Sequence, residues 1–299
     1  MCPVPNLYVS LNTLKDAGLL GLTATTNDTQ LLRTAEEASR QIERDTNRTY
    51  WIYEGTRYQD GAATRCVLDF DVQSITNNTT GLCVDIDGSN TWASAYTVDI
   101  NSPTSAPDAY CYPQDTYPKT RLEANPYGSY GHLGAGVRKA IRINGTFGYG
   151  NDWPADYKHT ATVVTGAALA STDATMSISG NSTGEVSGGM TLRVGSEQIY
   201  VTAQPTGSLN STAAILRAQN GTAAAAATTG TAISIYDYPA PIVQGTIIQC
   251  IRLWKRRESG FVNTVVNTDM GSVSVFKGTD PDYEKICAQY RRLRIPRYL

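Results

Sequence analysis

The spacing of hydrophobic positions changes several times along the chain. In residues 31–51, LLRTAEEASRQIERDTNRTYW, it is helical: Leu31, Ala35, Ala38 and Ile42 fall on one face, and Glu36, Glu37, Arg40, Glu43 and Arg44 on the others. Glu36 and Arg40 form a favourable i,i+4 pair. Asn27 with Gln30 three residues later predicts a capping box at the start. The helix should end around Asn47, returning Tyr50 and Trp51 to the core. A shorter helix is predicted ahead of it in SLNTLKDAGLL, capped by Ser10 and ending near Gly18.

From residue 52 the period falls to two. RCVLDFDVQSIT puts Leu68, Phe70 and Val72 on one face and Asp69 and Asp71 on the other. LCVDIDGSNTWASAYTVDI reads as two strands joined at Asp87-Gly88. A Pro/Tyr/Ser-rich excursion over 101–136 precedes another alternating strand, VRKAIRINGTFGYG. NDWPADYK then signals a helix start, with Pro154 in its first turn.

The texture changes again over 160–238, where only six charged side chains occur in 79 positions. The short alternating runs ATMSIS, MTLRV, EQIYVT, AAILRA and TAISIY are separated by turns at Gly188-Gly189, Gly195-Ser196 and Asn220-Gly221, which predicts a small all-β module. Helical spacing returns with Val243, Ile247, Ile251 and Trp254, from Pro241 to a stop at Gly260. A last helix starts at Asp280 and Pro281, and RRLRIPRYL closes the chain. The expected fold class is α+β: a helical framework with a β-sheet region, residues 1–154 plus 240–299, interrupted by an all-β barrel- or sandwich-like module, residues 155–239.

Composition narrows the function classes. Apolar residues make up 41% and charged residues 17% of 299, as in a globular chain. A net charge of −2 gives no global drive toward nucleic acid or membrane. Residues 251–299 are the exception, with ten Lys/Arg against five Asp/Glu. The six cysteines are scattered without a CxxC, and His132 and His159 are the only histidines, so no metal site or cofactor is expected. MCPVPNLYVS lacks the charged start and apolar core of a secretion signal, and no apolar run is long enough to span a membrane. The cysteines are therefore read as reduced and mostly buried in a cytosolically made protein.

Candidate chemistry is sparse. Asp69/Asp71 and Asp85/Asp87 could be read as paired catalytic carboxylates, but the outward face of a half-buried strand is ordinarily polar. DIDGSN has glycine fourth and tyrosine twelfth, which fits a hairpin turn rather than a calcium loop. GTFGYG is neither a dinucleotide fingerprint nor a P-loop. No serine or cysteine nucleophile can be paired with a base. No enzymatic activity and no catalytic residue is expected. Lys255, Arg256 and Arg257 place three cations at a helix C-terminus, complementing its dipole and offering a partner surface.

Four segments, taken in order, resemble the head–tail connector (adaptor) proteins of tailed bacteriophages: LKDAGLL…TTNDTQLLRTAEEASRQIERDTNRTYW, VRKAIRINGTFGYGNDWPAD, IIQCIRLWKRRESG and DPDYEKICAQYRRLR. The resemblance covers the framework. In compact relatives the helix after Pro-Ala-Asp runs on directly, whereas here the β module intervenes. That module looks like small β units of other phage virion proteins, in which Arg-Gly and a histidine often stand where this chain has Arg217-Ala218 and alanines.

The resemblance implies a non-catalytic structural virion protein at the head–tail junction, assembled in the host cytoplasm. It implies a homo-oligomeric ring, a dodecamer, that joins the portal protein to the stopper or tail-completion protein. DNA would pass through its lumen without sequence-specific binding. The basic tail is the implied portal-binding segment: Arg291, Arg292, Leu293, Arg294, Ile295, Arg297, Tyr298 and Leu299. A reading of another class is a carbohydrate- or surface-binding β module of a virion or cell-surface protein, since tyrosine outnumbers phenylalanine 18 to 4.

Overall fold

The computed structural model describes residues 6–16, 18–77, 79–100, 107–150, 157–181, 184–207, 210–258, 264–267, 271–274 and 279–292. The chain opens with helices α1 (Leu11–Lys15) and α2 (Asp28–Thr46). Eight strands follow: β1 (Tyr53–Gln59), β2 (Arg65–Ile75), β3 (Leu82–Val84), β4 (Ser94–Tyr96), β5 (Val98–Asp99), β6 (Ala109–Tyr112), β7 (Lys119–Ala124) and β8 (Ile141–Phe147). Six more are β9 (Tyr157–Thr165), β10 (Thr175–Ser179), β11 (Thr191–Val194), β12 (Glu197–Val201), β13 (Asn210–Leu216) and β14 (Ala232–Tyr236). Helix α3 (Ala240–Glu258), the hairpin β15 (Thr264–Asn267) and β16 (Gly271–Ser274), and helix α4 (Pro281–Tyr290) complete the described elements. Two compact units result, one built on Met1–Asn47, Tyr157–Gln219 and Ala223–Arg292, the other on Arg48–Asp156 and Asn220–Thr222.

In the second unit β8 is the central strand. It pairs with β1 along its whole length, from Tyr53↔Phe147 to Gln59↔Ile141, and on its other side with β2 and then β3. The hydrogen-bonded path runs β4-β3-β8-β2-β7-β6-β5. Its two ends, β4 and β5, are separated only by Thr97, so the sheet curls back on itself toward a barrel. Asp108 fixes that corner. Its carboxylate accepts from Thr97 N and Oγ1 and from Ser129 N, at 2.7–2.9 Å. Burial pushes this carboxyl up, and the bonds from Thr97 and Ser129 outweigh burial and hold it below the ordinary range.

The alternation read in β2 holds only as far as Phe70. A register shift between Val67 and Val72 lets Asp71, Val72 and Gln73 all go inside. Asp69 faces solvent as expected, but Asp71 is buried and pairs with Arg48 at 3.0 Å. Lys119 is buried too. Its ammonium donates to the carbonyls of Pro113 and Gln114 and stands over the Tyr117 ring. Burial pushes this lysine's pKa down.

In the first unit six strands close a barrel in the order β10-β13-β12-β11-β14-β9, every pairing antiparallel. Alternate residues such as Met176, Ile178, Ala213 and Ile215 line its core. Helices α2, α3 and α4 pack as one layer, where Ala35, Ala38, Ile247 and Cys250 share a core. Gly245 permits close approach at the three-helix junction, because a Cβ there would lie 3.0 Å from Ile42 and 3.5 Å from Ile286. The segment before α1 ties the layer to the barrel. Thr191 Oγ1 donates to Asn6 Oδ1, Leu11 N donates to Gly188 O, and Tyr8 packs edge-on against Tyr238.

The expected fold class needs correction. The protein is mostly β, with 32% strand and 23% helix, and comprises a closed barrel and a near-barrel. It is not a helical framework with an inserted module. The Pro/Tyr/Ser-rich excursion over 101–136 contributes β6 and β7, which help close the near-barrel. Of the helix predicted at NDWPADYK, residues 151–156 lie outside the described residues, and from Tyr157 the chain is strand β9. The β3–β4 connection is a longer loop over 85–93 rather than a two-residue turn at Asp87-Gly88. Ser10 and Asp280 cap their helices as read. Asn27 makes no side-chain cap, because a 3₁₀ turn, Thr25–Asn27, runs directly into α2.

Candidate functional site: the basic helix ends

Helix α3 ends in Lys255, Arg256 and Arg257, all exposed. One turn earlier Trp254 is buried with Leu11 and Leu31, and the Arg257 guanidinium lies 4.9 Å from its ring. The indole thus fixes where α3 ends, and the cations fan out beside its carbonyl terminus.

Helix α4 is built to a tight local rule. Asp280 accepts from Asp282 N and Tyr283 N, with Pro281 at the first position. Buried Tyr283 donates to Asp45 Oδ2 at 2.9 Å. Beyond α4 the chain closes the end of α2. Arg291 Nε donates to Asp45 O at 3.1 Å and Arg292 N to Thr46 O at 2.8 Å, while Asn47 turns away in the left-handed region. A helix leaves its last carbonyls open, and these two donors fill them.

The two basic ends are therefore separate. Trp254 sits against the start of α2 and Arg291–Arg292 against its end, about 20 Å apart at 1.5 Å per residue. Of the tail residues expected to bind the portal, Arg291 and Arg292 are placed. Leu293, Arg294, Ile295, Arg297, Tyr298 and Leu299 lie outside the described residues.

The other sequence candidates resolve into structural roles. Asp85 is buried, and its carboxylate accepts from Gly88 N, Ser89 N and Asn90 N, which makes DIDGSN a capped turn. His132 Nδ1 accepts from Gly134 N, and His159 sits in β9 opposite Ser234. The described cysteines are buried thiols outside any disulfide among the described residues, and burial pushes the Cys111 and Cys250 thiols up to about 12. Among the described residues no three of His, Cys, Asp and Glu converge, and no helix is long and apolar enough to cross a membrane.

Sequence reasoning missed one polar centre, in the barrel. Arg217 grips Glu197 with two parallel bonds, Nε to Oε1 at 2.8 Å and Nη2 to Oε2 at 2.6 Å. Ala218 N and Ala225 N donate to the same carboxylate. Burial raises the Glu197 carboxyl, and these four donors outweigh burial and hold it lowered. Ala218 pays for its place there with φ of +54°, a region disfavoured for a residue with a Cβ. Ala218→Gly is expected to stabilise the unit by about 1 kcal/mol, read as a raised urea midpoint with unchanged slope. An unchanged or lower midpoint would show that the strain is absorbed elsewhere.

No family model, curated protein or solved structure matches the chain.

Proposed function

We propose that this chain is a structural virion protein, the subunit of a head–tail connector ring that joins the portal to the stopper or tail and extends the DNA channel. The observation that carries the reading is the fate of the segments that resemble adaptors. Three of them form α2, α3 and α4, which pack as a single layer, and the fourth supplies the central strand β8. That layer presents cations at both ends and roots the basic tail on the last carbonyls of α2. A connector needs such a spacer, with separate contact points for the partners above and below.

The carbohydrate-binding reading draws no support from the barrel. Among the described side chains of its strands, Tyr200 and Tyr236 are buried, so these two rings offer no stacking face.

Electron microscopy of the purified protein mixed with portal-bearing capsids tests the proposal. The expected result is a hollow cyclic layer, twelvefold on the portal, at one vertex. Capsids whose portal vertex stays bare at saturating protein would overturn it.

A further inference from the structure

The outward face of the second unit's sheet carries a half-open aromatic pair beside exposed cations. Where β1 meets β8, Thr56 pairs with Asn144 and Tyr58 with Arg142. Ile141 and Ile143 point into the core, so these four side chains share the outer face. Tyr58 is 45% exposed. Trp92, from the β3–β4 loop, covers the same row. Its ring centroid is 5.2 Å from that of Tyr58, at 52°, and 5.7 Å from the Arg142 guanidinium. Arg142 Nη2 donates in turn to Cys83 Sγ at 3.3 Å.

Trp92 is held in an unfavourable backbone. It has φ of +45°, and Lys139, which it grips, has φ of +52°. Left-handed backbone is an outlier for so bulky a side chain and persists only where the surroundings impose it. Two bonds do so here. The indole Nε1 donates to Lys139 O, and Lys139 N donates to Asp60 Oδ1, each at 3.0 Å. The Lys139 ammonium is thereby tethered beside the indole. Lys139 and Arg138 are exposed, and neither makes an ion pair with a described residue. Three cations, Arg138, Lys139 and Arg142, thus stand against two acids, Asp60 and Asp87, each already accepting a backbone N–H.

We infer that this face binds single-stranded nucleic acid, an unpaired base stacking on the open ring of Tyr58 and the flanking phosphates meeting Arg138, Lys139 and Arg142. Asn144, exposed on the same face, offers a donor and an acceptor to a base edge. A neutral sugar would leave the cations unused, and a duplex keeps its base faces stacked inside, so neither fits both halves of the site. The inference goes beyond the connector reading and does not rest on it, because a duplex passing through a ring has no unpaired base to offer.

Fluorescence anisotropy of a labelled oligothymidylate of about 12 nucleotides, titrated with the full chain, tests the assignment. Saturable binding is expected, weakening with salt at a log–log slope of about −2, or about 0.7 for each of three cations. Tyr58→Phe keeps the ring and should bind as the wild type does. Tyr58→Ala should bind at least about fivefold more weakly. Lys139→Gln should reduce the slope by about 0.7, while Lys285→Gln, at an exposed lysine of α4, should change neither slope nor affinity. Circular dichroism checks the fold of each variant, and if Tyr58→Ala does not fold, the slope of Lys139→Gln decides. No saturation at about 1 mM protein in low salt overturns the inference. So does a Tyr58→Ala chain that binds as tightly as Tyr58→Phe, or a Lys139→Gln chain with the wild-type slope. Duplex DNA or heparin bound with the same dependence on Tyr58 overturns it too, since the site would then read charge without an unpaired base.

Discussion

Replacing Glu197 by glutamine is expected to destabilise the barrel-containing unit by about 3–5 kcal/mol, the range for breaking a buried ion pair from one side. The carboxylate is 1% and the Arg217 side chain 9% exposed, so water cannot take over the lost contacts. Glutamine is nearly isosteric, but it leaves a buried guanidinium with no counter-charge. It also presents an NH₂ group toward backbone donors that need an acceptor. Removing both charges should cost less. A Glu197→Gln, Arg217→Met double variant is expected to recover part of the loss, because no unpaired ion remains. The pH dependence has a definite sign. A carboxyl lowered on folding contributes stability above its unfolded value, and that contribution is lost as pH falls through the folded value. Urea unfolding at about pH 7 and about pH 3 should therefore show the wild-type advantage over E197Q shrinking in acid. An advantage that persists undiminished would mean that packing around Glu197, not its charge, holds the barrel.

Local features were legible in the sequence. Ser10 and Asp280 cap helices because a short polar side chain before an apolar period has one obvious use. The five short runs in 160–238 each became a strand, since period-two alternation between glycine turns admits few other conformations. Pairing over long sequence distances was not legible. The union of β1 with β8 joins residues nearly ninety positions apart, and no local pattern announces it. Asp71 was hidden for a related reason: a register shift ends the alternation there, and its partner Arg48 comes from outside the strand. The helical expectation over-weighted α2 and α3, the two segments with the clearest periodicity. The short strands β3 to β6, individually weak in sequence, join β7 and β8 to turn the second unit into a near-barrel. For the candidate site, Lys255, Arg256 and Arg257 were visible as a charge run. The docking of Arg291 and Arg292 onto α2 was not, because backbone carbonyls leave no mark in the sequence.

That docking shapes the last prediction. A chain ending at Arg292 is expected to keep its fold and lose binding to portal-bearing capsids. The retained residues still fill the α2 carbonyls through Arg291 Nε and Arg292 N, so the three-helix layer is spared. What is removed, LRIPRYL, holds Arg294 and Arg297 among Leu293, Ile295, Tyr298 and Leu299, with Pro296 to prevent helical continuation. Such a segment suits an apolar groove rimmed by carboxylates. The planar fork of arginine pairs such carboxylates bidentately, and under the connector proposal DNA sliding past would be a poor alternative anchor. Each charge-assisted hydrogen bond lost is worth about 1.5–3 kcal/mol, so losing both arginines predicts at least a hundredfold weaker binding, about 2.7 kcal/mol. A chain ending at Tyr290 separates binding from folding. It should lose the same affinity and in addition melt lower, by about 1–2 kcal/mol, as the ends of α2 and α4 come apart. Co-sedimentation with capsids and thermal unfolding of both truncations supply the two readouts. If the chain ending at Arg292 co-sediments as well as the full chain does, the anchor is not the tail, and the exposed cations at the end of α3 become the surface to mutate.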